Sequence, residues 1–302
     1  MATLAQATAS NAKFQPKSRP VVVVMGGTNG IGEGIVRAFA QHTPASVGAH
    51  IIIVGRSQSA ADAIIASLPT HPTSKYEFIA LEATSMRAVR LFAKGLVERP
   101  DVEKINYLIL SQGAFPSFSA PDTDEGLAPP VALMIHGRYR ATLDLAPLLD
   151  AAADLGEDAR VMTVANAGVG GPIDLSDIAL KRTALTALRG ALCTYTDICV
   201  LELAKRMPRA SFTHVYPGYV KSGFGRSMPL VLQWLAAPMH FFAISAVECG
   251  EWMLFALLDP ETKTGAHFKR NHGQRVEHSK YADEKAREAV WKFVQEKSDV
   301  PI

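Results

Sequence analysis

Among its 302 residues the chain has only three cysteines, Cys193, Cys199 and Cys249. None forms a Cys-x-x-Cys pair, which excludes a disulfide framework and the common cysteine zinc motifs. They read as small buried apolar residues. An excess of one charge sign is also missing: 31 Lys and Arg against 29 Asp and Glu leave a net charge of +2. A nucleic-acid-binding protein usually shows a basic stripe, so no nucleic-acid partner is expected. No Asn stands two places before Ser or Thr, so there is no glycosylation acceptor. The first twenty residues lack the apolar run of a secretory signal, and a cytoplasmic setting is the expectation. The most apolar stretch, MPLVLQWLAAPMHFFAI (228–244), is interrupted by Pro229, Gln233, Pro238 and His240. It is too short and broken for a spanning helix.

What is present is an alternation. VVVVM (21–25), HIIIV (50–54), YEFIAL (76–81), INYLIL (105–110), RVMTV (160–164) and SFTHV (211–215) are β-branched and nearly continuous in apolar residues. Such runs suit strands covered on both faces. Helix-length segments lie between them at 30–42, 58–67, 84–98, 128–153 and 177–207, followed by 245–258, a short strand at 265–269 and a charged helix at 279–297. Repeated strand–helix alternation with right-handed crossovers predicts an α/β fold, a single doubly wound Rossmann-type domain with helices on both faces of a parallel sheet. The expected organisation is a flexible tail over 1–19 and one domain over 20–302.

The strongest local signal is VVVVMGGTNGIGEGI. A strand runs into Gly26, Gly27, Thr28, Asn29, Gly30, Ile31 and Gly32, and a helix follows. Glycines there allow a tight turn and close approach of a pyrophosphate, which the helix N-terminus then holds with its N–H groups and dipole. The second strand ends at Val54-Gly55-Arg56-Ser57. An Asp or Glu at that place binds the ribose hydroxyl of NAD. An Arg suits a 2′-phosphate instead, so NADP(H) is the expected cofactor, with Arg56 as its anchor and Thr28 and Ser57 as helpers.

On these residues the sequence resembles the short-chain dehydrogenase/reductase family, and in wording its fungal specialised-metabolism members. GGTNGIG is similar to that family's TGxxxGIG, with Met25 in the Thr place. Leu110-Ser111-Gln112-Gly113 stands where the family has NNAG after the fourth strand. Glu82 stands where an adenine-contacting Asp is usual. Pro217-Gly218-Tyr219-Val220-Lys221-Ser222 is similar to the PG-x-V-x-T segment that touches the nicotinamide amide. The resemblance thus implies cofactor contacts from Gly26 to Gly32, Glu82, Ser111, Gly113, Pro217, Gly218, Val220 and Ser222.

The family's acid–base set does not follow. It needs a Ser after the fifth strand and Tyr-x-x-x-Lys on the next long helix, since proton transfer requires matched groups at hydrogen-bond reach. Aligning the fifth strand puts Asn166 in the Ser place. Registering the helix on Tyr195-Thr196-Asp197 puts Thr183 in the Tyr place and Ala187 in the Lys place. Counting back from Asn166 puts Arg138 in the place of the family's helix Asn, with His136 nearby. A Tyr-x-x-x-Lys does occur, Tyr281 to Lys285, but on the C-terminal helix, where it reads as a solvated face. Arg138 and Asn166 could hold an anionic oxygen or orient a carbonyl, and His136 titrates near neutrality when unperturbed. His267, His272 and His278 match no zinc spacing, and no metal is expected.

The apolar segment 217–244 falls where the family carries a substrate lid. Phe224, Met228, Leu230, Trp234, Met239, Phe241 and Phe242 would cover a hydrophobic small molecule. Three readings stand open: a non-redox or non-standard enzyme (cyclisation, isomerisation or dehydration) that keeps NADP(H), a carbonyl or imine reductase with His136, Tyr219 or water as proton donor, and an inactive partner of a related subunit. The resemblance also implies a homo-oligomer, dimer or tetramer, built on the helices 128–153 and 177–207.

Overall fold

The computed structural model describes residues 2–114, 121–221 and 243–302. Seven strands form one all-parallel sheet: β1 (Val21–Met25), β2 (His50–Gly55), β3 (Lys75–Ala80), β4 (Tyr107–Leu110), β5 (Arg160–Val164), β6 (Ser211–Val215) and β7 (Gly265–Lys269), in the order β3-β2-β1-β4-β5-β6-β7. The order reverses between β1 and β4. In open parallel sheets that switch point, at the carboxyl ends of the strands, is where ligands bind.

The sheet is buried on both sides because its strands are apolar on both. In β1, Val21, Val23 and Met25 belong to one core and Val22 and Val24 to the other. One face is covered by α2 (Gly30–His42), α3 (Gln58–Ala66) and α9 (Ala246–Leu257). Helices α2 and α9 cross at contact distance because each has a glycine there. A Cβ on Gly34 would lie 1.9 Å from the Ala246 carbonyl oxygen, and one on Gly250 would lie 2.1 Å from the Gly34 oxygen.

The other face is covered by α4 (Met86–Val97), α6 (Gly137–Asp144), α7 (Ala146–Asp154), α8 (Leu185–Arg206) and α10 (Glu284–Ser298). The segment 128–153 is not one helix, as its sequence suggests. A single turn, α5 (Pro129–Val131), leads into a π-turn at Ala132–His136 before α6, and Leu145 separates α6 from α7. A π-turn inserts a residue into the helical ladder and re-aims the side chains that follow.

One expectation needs correction. The N-terminal segment is not a free tail. Helix α1 (Leu4–Asn11) opens with a capping box between Thr3 and Gln6 and buries Ala7 and Asn11 against α9. The Asn11 amide donates to the Glu251 carbonyl at 2.9 Å and to its carboxylate at 2.7 Å. Phe14 then packs edge-on against Phe39 and Tyr107. The faces of 128–153 and 177–207 also pack in part against the chain's own α10. Trp291 stands edge-on to Tyr139 at 4.9 Å under the Arg206 guanidinium, 4.1 Å away, and Phe293 meets His136 at 5.0 Å. No helix among the described residues is long and apolar enough to cross a membrane.

Candidate functional site

The turn after β1 is shaped for close approach. Gly26 has φ +83° and its amide donates to the Val54 carbonyl at 2.8 Å, which pins the turn to β2. A Cβ on Gly26 would lie 2.6 Å from the Gln112 nitrogen, and one on Gly32 would lie 2.2 Å from the Gly26 oxygen and 2.6 Å from Ser111 Oγ. No side chain fits either place. Asn29 is the N-cap residue of α2 but makes no capping bond, so the first-turn N–H groups stay available to an anion. Ser111 braces the turn from behind, its hydroxyl donating to the Met25 carbonyl at 2.9 Å.

At the ends of β2 and β3, Arg56 and Glu82 are both exposed, with Arg56 Nη1 3.7 Å from Glu82 Oε2. Thr28 packs against Gly55, where a Cβ would lie 2.9 Å from Thr28 Oγ1. Ser57 is held locally, accepting from the Ala60 amide at 3.3 Å as the N-cap of α3. Glu82 Oε1 accepts from the Thr84 hydroxyl at 2.8 Å. After β6, the Cys249 thiol donates to the Pro217 carbonyl at 3.9 Å, Gly218 takes φ +80°, and Val220 bridges to Ile244. Gly113 is exposed beyond β4. Ser222 and the seven apolar lid residues from Phe224 to Phe242 lie outside the described residues.

The second half of the site is less like the expectation. Arg138 is buried. Its Nη1 donates to the Val164 carbonyl at 2.9 Å and its Nη2 to the Gln112 carbonyl at 2.5 Å. It therefore ties the ends of β4 and β5 together, and those bonds occupy the face assigned to an anion. Burial lowers its pKa to about 9, which leaves it charged at neutral pH. His136 is also displaced from any catalytic role. The π-turn points it at Phe293 on α10, both ring nitrogens lack partners, and burial pushes its pKa down to about 3. It is a neutral core histidine.

Thr183 and Ala187 are not the residues that meet Asn166. Thr183 donates to the buried Asp177 carboxylate at 2.9 Å, which also accepts from the Lys181 and Arg182 amides. Ala187 lines an open cavity of about 310 Å³ with Pro172, Leu180 and Ala191. Asn166 is met instead by Arg189, whose Nη2 donates to Asn166 Oδ1 at 2.7 Å. Two residues along a helix are about 200° apart, so Ala187 and Arg189 lie on opposite sides of α8. One turn on from Arg189, the Cys193 thiol lies against both the side chain and the backbone of Asn166, and burial pushes its pKa up to about 12. One turn further, Asp197 accepts from the Ser279 amide at 2.7 Å and pairs with His214 at 2.6 Å, both side chains fully buried.

Arg189 and Cys193, rather than Thr183 and Ala187, are thus the α8 residues that the structure brings against Asn166. The missed signal was helical phase: Leu185, Arg189, Cys193 and Asp197 recur every four residues along one stripe. Tyr281 and Lys285 sit at the start of α10, with the Lys280 ammonium 5.2 Å from the Tyr281 ring. His267, His272 and His278 are apart: His267 bonds the Thr264 carbonyl, His272 stacks on Trp252 and His278 faces Phe268. A cluster of His50, Glu77 and Asp101 lies at the amino edge of the sheet, but Arg99 Nη2 bonds both carboxylates, at 2.8 and 2.7 Å.

Residues 20–228 match the family model described as short chain dehydrogenase. The chain belongs to the short-chain dehydrogenase family. It is 27% identical over 282 residues to "Oxidoreductase AN1596" of Emericella nidulans, covering 90% of this chain and 80% of that protein. It is 28% identical over 282 residues to "Oxidoreductase andH" of Emericella variicolor, covering 88% and 80%. Among solved structures, an NADPH-bound carbonyl reductase from chicken fatty liver superposes with a TM-score of 0.60 at 19% identity, covering 86% of this chain and 98% of that one. The short-chain dehydrogenase membership makes this an oxidoreductase-family chain with an NAD(P)-binding fold.

Proposed function

We propose that this short-chain dehydrogenase binds NADP(H) and acts on a hydrophobic small molecule by a step without net redox: isomerisation, dehydration or cyclisation through an enolate. The observation that carries this reading is Arg189 bonded to Asn166, the residue that the resemblance puts in the family's Ser place. A guanidinium stays charged at any working pH and presents five N–H donors in a fixed fork. It stabilises an oxygen that gains charge, but it does not deliver a proton to that oxygen. Cys193 cannot stand in for Lys, because its thiol is buried and neutral. None of these three side chains donates a proton to the oxygen, so chemistry in which Arg189 holds an enolate oxygen while the α-proton leaves to water and a proton returns from water fits better than reduction to an alcohol.

The cofactor reading rests on the cradle at Gly26 and Gly32, which a Cβ would fill, on the uncapped start of α2 and on the exposed Arg56. Gly30, Ile31 and Gly32 would hold the pyrophosphate, and Arg56 would hold a 2′-phosphate against competition from Glu82. The dinucleotide, when bound, supplies hydride-transfer chemistry. The hydrophobic substrate is supported by Val169, Leu185 and Tyr219, which are apolar or aromatic and 41%, 44% and 54% exposed around the ends of β5, α8 and β6.

The test is turnover with a panel of apolar enones and 1,3-dicarbonyl compounds, followed by both NADPH absorbance and product mass. The expected result is a product of unchanged mass, or one lacking a water, with NADPH intact. A product two hydrogens heavier with matching NADPH loss overturns the reading. That outcome supports the reductase, for which the exposed Tyr219 hydroxyl beside Pro217 is a candidate proton donor among the described residues.

A further inference from the structure

Arg189 has no carboxylate to neutralise it. No Asp or Glu lies within 4.0 Å of its guanidinium among the described residues, and the segments 115–120 and 222–242 contain no Asp or Glu at all. The one carboxylate on its stripe of α8, Asp197, has an oxygen on His214 and the other on the Ser279 amide. Asn166, the residue Arg189 does touch, is neutral and takes one of the five N–H donors through its Oδ1. The other donors remain for a ligand.

The surroundings say what else the ligand carries. Leu185, one turn before Arg189 on the same stripe, is exposed, and so is Val169, whose amide donates to the Asn166 carbonyl at 3.2 Å. A guanidinium without a counter-ion, flanked by exposed apolar side chains at the carboxyl edge of the sheet, matches a molecule that is itself amphipathic. Arginine is suited to a planar pair of oxygens, as in a carboxylate or the enolate of a 1,3-dicarbonyl.

We infer that the substrate is an apolar molecule bearing an acidic oxygen, and that Arg189 binds that oxygen as its counter-ion. This rests on the reading of Asn166, Arg189 and Cys193 as the reaction site, and it adds that the oxygen is anionic before reaction, not only during it. Leu185 and Val169 contact the apolar body.

The experiment is calorimetric titration of the NADP⁺-loaded protein with decanoate and with decanol, in wild type and in Arg189→Gln and Arg189→Lys. A charge-assisted bond makes wild type prefer decanoate by about tenfold or more. That preference disappears in Arg189→Gln, persists in part in Arg189→Lys, and weakens with added salt. An unchanged melting temperature shows that the variants fold, as expected for an exposed side chain. No preference in wild type, or the same preference in Arg189→Gln, overturns the inference. NADP⁺ binding, measured in the same titrations, keeps the two readings apart: normal cofactor binding without anion preference sinks only this inference, whereas absent cofactor binding sinks the proposed function.

Discussion

Two stretches of the same sheet edge have diverged in opposite ways. After β1, glycines stand wherever the backbone must leave room, and Gly26 and Gly32 are each hemmed in by atoms less than 3 Å from where a Cβ would be. After β5, the side chains brought together are Asn166, Arg189 and Cys193. One region answers to the shape of a cofactor and the other to the charge of a substrate. A chain losing function would be expected to loosen both. Here the second region holds an exposed guanidinium in place with a 2.7 Å hydrogen bond.

The comparison can be broken most directly at its first member. Gly32→Ala forces a methyl against the Gly26 carbonyl, a strain of about 1–3 kcal/mol. NADP⁺ affinity should fall roughly ten- to a hundredfold by titration calorimetry, and an unaltered affinity would show that the turn is not the cradle. The second region is sharpened at His136. Its folded pKa of about 3 lies below the unfolded value of 6.5, so between those values the unfolded chain binds the extra proton. That part of the stability is complete above pH 6.5 and declines as the pH falls. From pH 6.5 to 5 wild type should lose about 2 kcal/mol that His136→Leu does not lose, measured by urea denaturation. A catalytic His136 would instead move the pH–rate profile.

A smaller effect distinguishes the cofactors. Arg56→Ala should cost about tenfold in NADP⁺ affinity, with NAD⁺ binding equal or slightly better, because one charge-assisted phosphate contact is removed and Glu82 remains. Equal losses for both dinucleotides would remove the 2′-phosphate from Arg56. The least effect is expected at Tyr281→Phe. Turnover should be unchanged, since Tyr281 lies just before α10 with the Lys280 ammonium over its ring and makes no bond to Asn166, Arg189 or Cys193 among the described residues.

Much of the fold was legible because strands covered on both faces carry unbroken β-branched runs. β1, β5, β6 and β7 match their sequence limits. The glycine turn was legible because it depends on backbone clearance, which few residues satisfy. The acid–base places were not. Registering the helix on Tyr195-Thr196-Asp197 led to Thr183 and Ala187, and the loop from Gly168 to Ala184, whose path is set by Asp177 capping three groups of its own loop, separates them from Asn166. Each lies six residues before the residues that meet Asn166, Arg189 and Cys193. Arg138 was placed on the correct helix, but the carbonyls it binds across the sheet leave no sequence mark. The π-turn that aims His136 away from the cleft is equally silent, since ALMIH reads as ordinary helix.

The last helix has a consequence for how this protein lives in solution. A surface covered by a second molecule is covered only as often as that molecule is present, whereas α10 is always at hand. Tyr139, His136 and the Arg206 end of α8 are shielded by Trp291 and Phe293 of the same chain, and Asp299 anchors the helix end to Arg90 at 3.2 Å. Stability drawn from a tethered partner does not depend on protein concentration. The share of the stability that this helix supplies should therefore stay the same on dilution, and removing Trp291 by Trp291→Ala should lower the melting temperature equally at every protein concentration.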